Sequence, residues 1–411
     1  MINFDSFTLE NGLKVVVHQD NSFSTVVMNI LYDVGSRDET EDKTGFAHLF
    51  EHLMFGGSIN IADYDKRLQM AGGTNNAFTS PDITNYYLTL PAANIETGFW
   101  LESDRMLNLS FAPKTLEVQR KVVIEEFKQR YLNQPYGDIW LKMRPLAYKK
   151  HPYKWATIGK DISHIKNATM GDVKSFFAKF YNPSNAILVV AGNISLEKAK
   201  QLSQKWFAPI PSIPKPQRNL PKEPKQTTAR NMEVNTSVAS NALYKSYKMC
   251  EKSSDDFIAS DLLSDILGQG KSSVLYQKLV VEKSIFTNIS ASILGSLDAG
   301  LFNISGYLNK DISFQIAEES IQEVISSFFI EKTKTDSLQN IKNKLEAYSV
   351  FSETELLPRA MNLAYATLLG NPQKVNTFTQ EIQAVSSEKI DRVASQILQE
   401  TNCSSIYYGN N

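Results

Sequence analysis

The 411-residue chain is longer than one ordinary domain and has a formal net charge of -1, with 42% hydrophobic and 21% charged residues. These values are typical of a folded globular protein and exclude a disordered or fibrous chain. Because charges of both signs are spread along the sequence, we expect no nucleic acid as partner. The two cysteines, Cys250 and Cys403, form no C-x-x-C pair and predict neither a disulfide framework nor a cysteine metal site.

The first residues, MINFDSFTLENGLKVVVHQD, lack the basic and then apolar segments of a signal peptide. No stretch of the sequence has the roughly 18 apolar residues that span a bilayer. We therefore expect a cytoplasmic protein without membrane spans, although a mature periplasmic or organellar form would have the same N-terminus.

Strand-like and helix-like segments are mixed along the chain. Residues 13–20 (LKVVVHQD) and 24–35 (STVVMNILYDVG) are rich in β-branched residues and predict strands. Residues 114–132 (KTLEVQRKVVIEEFKQRYL) and 311–332 (DISFQIAEESIQEVISSFFIEK) have the apolar spacing of helices. This mixture predicts an α+β fold in which helices pack on one face of a mixed sheet.

Two distant segments share one pattern. Residues 169–193 and 386–410 each consist of a polar N-cap, an amphipathic helix, a short polar turn and an apolar strand that ends in Gly-Asn. Two copies of one module would explain the length of the chain, and chance similarity of two short segments is the alternative.

A proline-rich segment separates these two copies. Residues 209–224 hold six of the fifteen prolines, and proline fixes φ and lacks a backbone donor. The sequence therefore predicts domains of similar fold at residues 1–208 and 227–411, joined by an extended linker at 209–226.

Residues 44–58, TGFAHLFEHLMFGGS, predict a short oily helix. We expect Thr44 or Asp42 to cap its N-terminus and the Gly56-Gly57 pair to end it.

Two histidines and a glutamate interrupt this apolar helix. His48 and His52 are four residues apart and therefore lie on one helical face, with Glu51 beside them. Imidazoles on adjacent turns can bind one zinc ion, and a carboxylate between them can take a proton from water. The pattern H-x-x-E-H is a known zinc motif. The alternative is a buried helix whose histidines make ordinary hydrogen bonds.

A third ligand has to come from elsewhere in the chain. His18, His151 and His164 lie at a strand end or in polar stretches without metal spacing, so we interpret them as surface or structural residues. Glu125 and Glu126 interrupt an apolar helical run, and a carboxylate on a buried face is costly unless it is paired or metal-bound. From the residues alone, both glutamates are candidates.

Five segments together resemble the pitrilysin/insulinase family of zinc peptidases, the inverzincins, and most closely its short two-domain branch around mitochondrial processing peptidase. The segments follow one another in the family's order, and the likeness extends over most of the chain. They are DVGSRDETEDKTGFAHLFEHLMFGGS, GGTNNAFTSPDITNYYLTLP, RKVVIEEFKQR, FYNPSNAILVVAGN and LGQGKSSVLYQKLVVEK.

The resemblance implies a role for the two histidines and for two glutamates. His48, His52 and Glu126 would hold one Zn²⁺ per chain, and Glu51 would be the general base. Glu126 is preferred because the family has its ligand at the second acidic position of this segment. Gln119 stands where the family commonly has a glutamate that orients the ligands, and glutamine can still donate or accept a hydrogen bond but adds no negative charge.

The sequence NAFT at 76–79 resembles the edge strand on which the family binds its substrate. An extended peptide can pair with such a strand through main-chain hydrogen bonds. The alternative is a buried strand after the Gly72-Gly73 turn. The substrate-binding residues that the resemblance implies are Asn76, Ala77, Phe78 and Thr79.

The second domain departs from the family pattern. Active members have there an arginine and a tyrosine that reach the scissile carbonyl, and this chain has Val281 and Thr287 at those positions. Neither side chain can replace a guanidinium and a phenol in stabilising an oxyanion. The resemblance therefore implies the zinc-bearing subunit of a heterodimer whose homologous partner carries the Arg/Tyr pair.

The implied function is that of a zinc-dependent endopeptidase that hydrolyses extended peptides or unfolded segments in an enclosed chamber. One alternative is a non-catalytic scaffold subunit of the same fold. The other is a peptide-binding or chaperone-like module that does not cleave.

Overall fold

The computed structural model describes residues 1–331 and 335–410, and the side chains within 329–337 lie outside this description. The described residues form eleven β-strands and fourteen α-helices. The strands are β1 (Asp5–Thr8), β2 (Lys14–Gln19), β3 (Thr25–Tyr32), β4 (Thr74–Thr79), β5 (Thr84–Pro91), β6 (Ala186–Gly192), β7 (Arg230–Asn235), β8 (Ala242–Lys248), β9 (Phe286–Leu294), β10 (Leu301–Leu308) and β11 (Cys403–Gly409). The helices are α1 (Phe46–Leu53), α2 (Tyr64–Met70), α3 (Ile95–Leu107), α4 (Pro113–Phe127), α5 (Ile139–Ala147), α6 (Ile162–Lys166), α7 (Met170–Phe180), α8 (Leu196–Trp206), α9 (Phe257–Gly268), α10 (Phe314–Glu331), α11 (Thr335–Ser352), α12 (Leu356–Leu368), α13 (Lys374–Gln383) and α14 (Ser387–Ile397).

The chain divides into two compact units, each assembled from segments that are not contiguous in sequence. The first unit contains Met1–Leu132, Trp155–Leu220 and Val350–Thr377, and the second contains Asn133–Lys154, Pro221–Ser349 and Phe378–Asn411. Residues 133–154 thus lie in the sequence range predicted for the first domain but belong to the second unit. Residues 350–377 lie in the range predicted for the second domain but belong to the first unit.

Each unit contains one mixed sheet, and the two sheets share a strand order. The first sheet has the order β1-β2-β6-β3-β5-β4, and the second has β7-β11-β8-β10-β9. The pairs β2–β6 and β7–β11 are parallel, and the other pairs are antiparallel. Every strand of the first sheet except β1 therefore has a counterpart in the second. The predicted α+β fold with two related mixed-sheet domains is confirmed.

The predicted helix–turn–strand modules have matching N-caps. The Thr169 hydroxyl accepts the N–H of Asp172 at the start of α7, and the Ser386 hydroxyl accepts the N–H of Lys389 at the start of α14. Each helix is followed by an apolar strand, β6 or β11. The shared pattern in the sequence therefore corresponds to a shared local structure.

The other predicted elements also form, with small shifts at their ends. The predicted strands correspond to β2 and β3, and the second predicted helix corresponds to α10, with residue 332 of that prediction outside the described residues. The first predicted helix is α4, but the chain continues beyond it as a π-helical turn, Lys128–Leu132.

The first sheet is covered on a face for which the sequence predicted no helix. Helix α12 comes from the second half of the sequence, and its Ala360, Leu363 and Ala364 pack on Val27 of β3 and Val189 of β6. On the other face of β3, the Tyr32 ring contacts Tyr86 of β5 edge-on and Tyr181, at the end of α7, at a tilt. Strands buried on both faces are apolar almost throughout, as β6 (AILVVAG) is.

The proline-rich segment forms neither helix nor strand after residue 210, and its Arg218 contacts the first unit. Within the described chain, residues 211–227 contain no helix or strand. The Arg218 guanidinium donates to Asp38 Oδ1 at 2.5 Å and to Asp33 Oδ2 at 3.0 Å.

Among the described helices, none is long and apolar enough to cross a membrane.

Candidate metal centre and peptide-binding edge

A buried carboxylate caps α1, the helix with the two histidines. Gly45 is the N-cap residue, with a positive φ of 87° and no side chain to accept a hydrogen bond. Glu39 replaces that acceptor, because its two carboxylate oxygens accept the N–H groups of Gly45 at 2.9 Å and of Ala47 at 2.8 Å. Burial raises the pKa of Glu39 well above its ordinary value, and the two N–H bonds oppose that rise. The cap fixes where α1 begins.

The predicted caps were therefore wrong. The Thr44 hydroxyl accepts the N–H of Lys160 at 2.9 Å and also contacts His164 Nδ1, so it faces a neighbouring loop rather than the helix. Asp42 is exposed. A Cβ atom at Gly45 would lie 2.6 Å from the carbonyl oxygen of Ile158, so this close approach requires glycine.

His48, His52 and Glu126 converge on one point. Glu126 Oε2 lies 3.6 Å from His48 Nε2 and 3.4 Å from His52 Nε2. Within the described residues they form the one group of three His, Cys, Asp or Glu side chains whose potential ligand atoms lie within 4.8 Å of one another. The side chain of Glu125, the alternative candidate, is 60% exposed and pairs with Lys128 at 2.7 Å.

The separations fit a tetrahedral zinc ion. Two ligand atoms that each lie about 2.0–2.1 Å from one tetrahedral zinc are about 3.4 Å apart. The two distances to Glu126 Oε2 are close to that value. The imidazole rings are nearly perpendicular, with centroids 4.9 Å apart. His48 Nδ1 is buried and has no hydrogen-bond partner among the described residues, so the polar contacts of this ring are made by Nε2.

Local electrostatics favour the donor forms of these side chains. Burial lowers the pKa of His48, although the Glu126 carboxylate opposes this effect. The pKa of Glu126 is lowered, first by its hydrogen bond with His52 and also by the charges of His48 and Arg130. A neutral imidazole and an ionised carboxylate are the forms that bind a divalent cation.

Glu51 lies on the same helix but outside this cluster. Its Oε2 accepts a hydrogen bond of 2.6 Å from the Thr79 hydroxyl of β4. Burial raises the pKa of Glu51, and the Thr79 hydrogen bond opposes that rise. A raised pKa makes the carboxylate a stronger base, which suits proton transfer.

Strand β4 is an edge strand, as the resemblance implied. It is the last strand of the first sheet, and its residues alternate between exposed and half-buried, which excludes the alternative of a buried strand. Thr79 and Ala77 are half-buried, and Asn76 and Phe78 are exposed on the other face. The Asn76 side-chain oxygen accepts the N–H of Ala77 at 2.8 Å.

The other residues named from the resemblance are Gln119 in the first unit and Val281 and Thr287 in the second. Gln119 is half-buried on α4, two turns before Glu126, and makes no hydrogen bond to the three clustered residues within the described chain. Val281 is 57% exposed on a second π-helical turn, Tyr276–Glu282. The Thr287 hydroxyl donates to the carbonyl of Tyr307 at 3.1 Å.

The other three histidines make structural contacts. His18 Nδ1 lies 2.6 Å from the carbonyl oxygen of Asn3, and His151 Nε2 lies 3.3 Å from Asp298 Oδ2. His164 Nδ1 accepts the N–H of Thr44. These contacts agree with the structural interpretation of all three.

Three features of the site were absent from the sequence predictions. They are the Glu39 cap, the contact of Thr79 with Glu51, and an ion pair between Arg130 and Glu126. Only the last had a signal in the sequence, because residues four apart on a helix are neighbours.

Comparisons with known proteins identify the family. Residues 14–157 match the family described as insulinase (peptidase family M16), and residues 167–345 match the family described as the peptidase M16 inactive domain. The chain is 30% identical to the zinc protease PqqE of Helicobacter pylori, over 98% of this chain and 92% of that protein. It is 22% identical to the probable mitochondrial-processing peptidase subunit beta of Arabidopsis thaliana, over 95% of this chain and 75% of that protein.

A solved structure shows the same fold. The crystal structure of a protease from Helicobacter pylori matches with a TM-score of 0.93 and 28% identity, and the match covers 100% of both chains. The match at 14–157 includes His48, Glu51, His52 and Glu126. The chain belongs to the insulinase family of peptidases, family M16.

Proposed function

We propose that this chain is a zinc-dependent endopeptidase that hydrolyses extended peptides or unfolded segments. The observation that carries the proposal is the convergence of His48, His52 and Glu126, with the potential ligand atoms within 4.8 Å of one another. The name zinc protease, which the Helicobacter pylori relative bears, supports the same metal. We assign one zinc ion per chain to these three side chains.

Zinc bound by these side chains would act as a Lewis acid on a peptide carbonyl and lower the pKa of a water molecule. Glu51 is the general base, because it is the carboxylate of α1 that remains outside the ligand cluster. Its free oxygen takes the proton of the attacking water and returns it to the leaving amine. Thr79 holds the other oxygen of Glu51 in place through its 2.6 Å hydrogen bond.

The exposed edge of β4 binds the peptide main chain. An unpaired edge strand presents N–H and C=O groups that pair with an added strand regardless of side-chain identity. Asn76, Ala77, Phe78 and Thr79 lie along this edge, and the last of them also contacts Glu51. A peptide added to β4 would therefore lie beside the general base.

We also propose a partner subunit. Val281 and Thr287 supply neither a cation nor a phenol, so a homologous subunit with the Arg/Tyr pair would complete an enclosed heterodimeric chamber. The Arabidopsis thaliana relative is named a subunit, which supports this expectation. Peptide cleavage should rise when such a subunit is added to the chain, and an unchanged rate would contradict the pairing.

The Glu51→Gln variant tests the chemistry. Gln at this position cannot take a proton, so we expect cleavage of a peptide library, followed by mass spectrometry, to fall below detection while one zinc per chain is retained. The matched control is Glu125→Gln, which removes an exposed carboxylate of α4 and should retain both properties. If the wild-type chain, tested with a homologous subunit, binds peptides without changing their masses, the non-catalytic alternatives are correct.

A further inference from the structure

Arg130 contacts the carboxylate of the candidate metal centre from the solvent side. Its Nη1 atom lies 3.0 Å from Glu126 Oε1. The Arg130 side chain is 71% exposed, and the Glu126 side chain is 18% exposed. The ion pair therefore joins a solvent-exposed cation to a largely buried carboxylate.

The two oxygens of Glu126 have different partners. Oε2 faces both imidazole Nε2 atoms, and Oε1 faces the guanidinium of Arg130. A carboxylate rotates easily about its last torsion unless both oxygens are engaged. The ion pair thus leaves one oxygen of Glu126 directed at the imidazoles.

The backbone places Arg130 at this position. Helix α4 ends at Phe127, and the chain continues as a π-helical turn, Lys128–Leu132. A π turn has i→i+5 bonds and is wider than an α turn, so each residue rotates the chain by less than 100°. A side chain four residues after Glu126 then lies more nearly in line with it. Short π turns within helices occur frequently at functional sites.

We propose that Arg130 is a positioning residue for Glu126, which holds this carboxylate so that Oε2 alone is directed at the metal. This inference rests on the proposed zinc site and adds to it a residue that contacts neither the metal nor the substrate. Ligating carboxylates are commonly hydrogen-bonded through the oxygen that does not bind the metal, and such partners raise metal affinity.

A simple surface charge would have the opposite effect on zinc. A cation close to a zinc site repels the ion, so its removal should tighten binding. Exposed ion pairs, in addition, often contribute nothing measurable to stability. The direction of the change in zinc affinity therefore separates a positioning role from an incidental surface contact.

The test measures the zinc affinity of the full chain by competition with a chromophoric chelator. For Arg130→Ala we expect about tenfold weaker binding, because the loss of a partner that orients a ligand typically costs 10–100-fold. Arg130→Lys should lose less, because it retains the charge but not the planar pair of donors. The control is Lys128→Ala, which removes a cation from the same turn that pairs with Glu125. Thermal unfolding of the zinc-free proteins shows whether each variant is folded.

Each outcome decides between the two interpretations. Weaker binding by Arg130→Ala, with Lys128→Ala unchanged, supports the positioning role. Unchanged or tighter binding by Arg130→Ala overturns it, and so does an equal loss in both variants. If the wild-type chain binds no zinc, the proposed function fails instead, so the two failures are distinguishable.

Discussion

The Thr79 hydroxyl donates a 2.6 Å hydrogen bond to Glu51 Oε2. This contact joins the edge strand β4 to the helix α1, and so the proposed peptide-binding element to the proposed general base. The contact therefore holds the proposed general base beside the edge strand that we propose binds the peptide.

Loss of this hydroxyl should slow hydrolysis. We expect Thr79→Val to lower kcat by about 10- to 100-fold, because a hydrogen bond to a charged group is worth about 1.5–3 kcal/mol. Thr79→Ser keeps the hydroxyl and should retain most of the activity. Steady-state kinetics on a peptide substrate measure both, and equal rates for the valine and serine variants would show that the contact does not orient Glu51.

Glu39 should stabilise the fold through α1. Glu39→Gln leaves one carbonyl oxygen for two buried N–H groups, those of Gly45 and Ala47, and an unsatisfied buried donor costs about 1–3 kcal/mol. Denaturant unfolding should show this loss. Glu41→Gln, which changes an exposed carboxylate two residues away, should be within about 1 kcal/mol of the wild type.

Helix α12 should be an integral part of the first unit. Leu363 is fully buried against the first sheet, and Leu→Ala substitutions at such positions cost about 2–5 kcal/mol. We expect Leu363→Ala to lower the midpoint of thermal unfolding by several degrees. Asn362→Ala, at an exposed position of the same helix, is the matched control and should have little effect. Equal midpoints for the two variants would show that α12 contributes little to this unit.

Glu223 should make the second unit sensitive to acid. Burial would raise its pKa, but the N–H groups of residues 149–151 and the ammonium of Lys248 outweigh burial and lower the pKa from 4.5 to about 2. Because the folded-state pKa is the lower one, the stabilisation is complete above about pH 4.5 and is lost as the pH falls toward 2.

The Glu223→Gln variant measures this contribution. It should be less stable than the wild type by about 1–2 kcal/mol at pH 7, and the difference should shrink as the pH falls below 4.5. Denaturant unfolding at a series of pH values provides the comparison. A difference that stays constant down to pH 2.5 would mean that the carboxylate charge is not what stabilises this contact.

Local patterns in the sequence predicted a large part of the site. The spacing of His48 and His52 is a property of one helix, and the alternating pattern of β4 is a property of one strand, so both are visible in a short window. The choice between Glu125 and Glu126 needed the family resemblance, because adjacent residues on a helix differ only in the direction they face.

Features that depend on distant packing were not predicted. Glu39 caps α1 from the other side of a loop. The sequence shows only that Glu39 precedes Gly45 by six residues, and this spacing does not favour Glu39 over Thr44 as the capping residue. Residues 350–377 pack on the first sheet although they follow most of the second unit in sequence, because the apolar face of α12 fits that sheet. A prediction that assigns each domain one continuous segment cannot describe a chain that passes from one unit to the other and back.

X-ray diffraction from a zinc-soaked crystal, recorded at the zinc absorption edge, tests the proposed metal site most directly. The anomalous map should show one ion per chain within about 2.0–2.2 Å of His48 Nε2, His52 Nε2 and Glu126 Oε2, with Glu51 outside its ligands. An ion bound elsewhere, or bound at this point without Glu126, would contradict the proposed site.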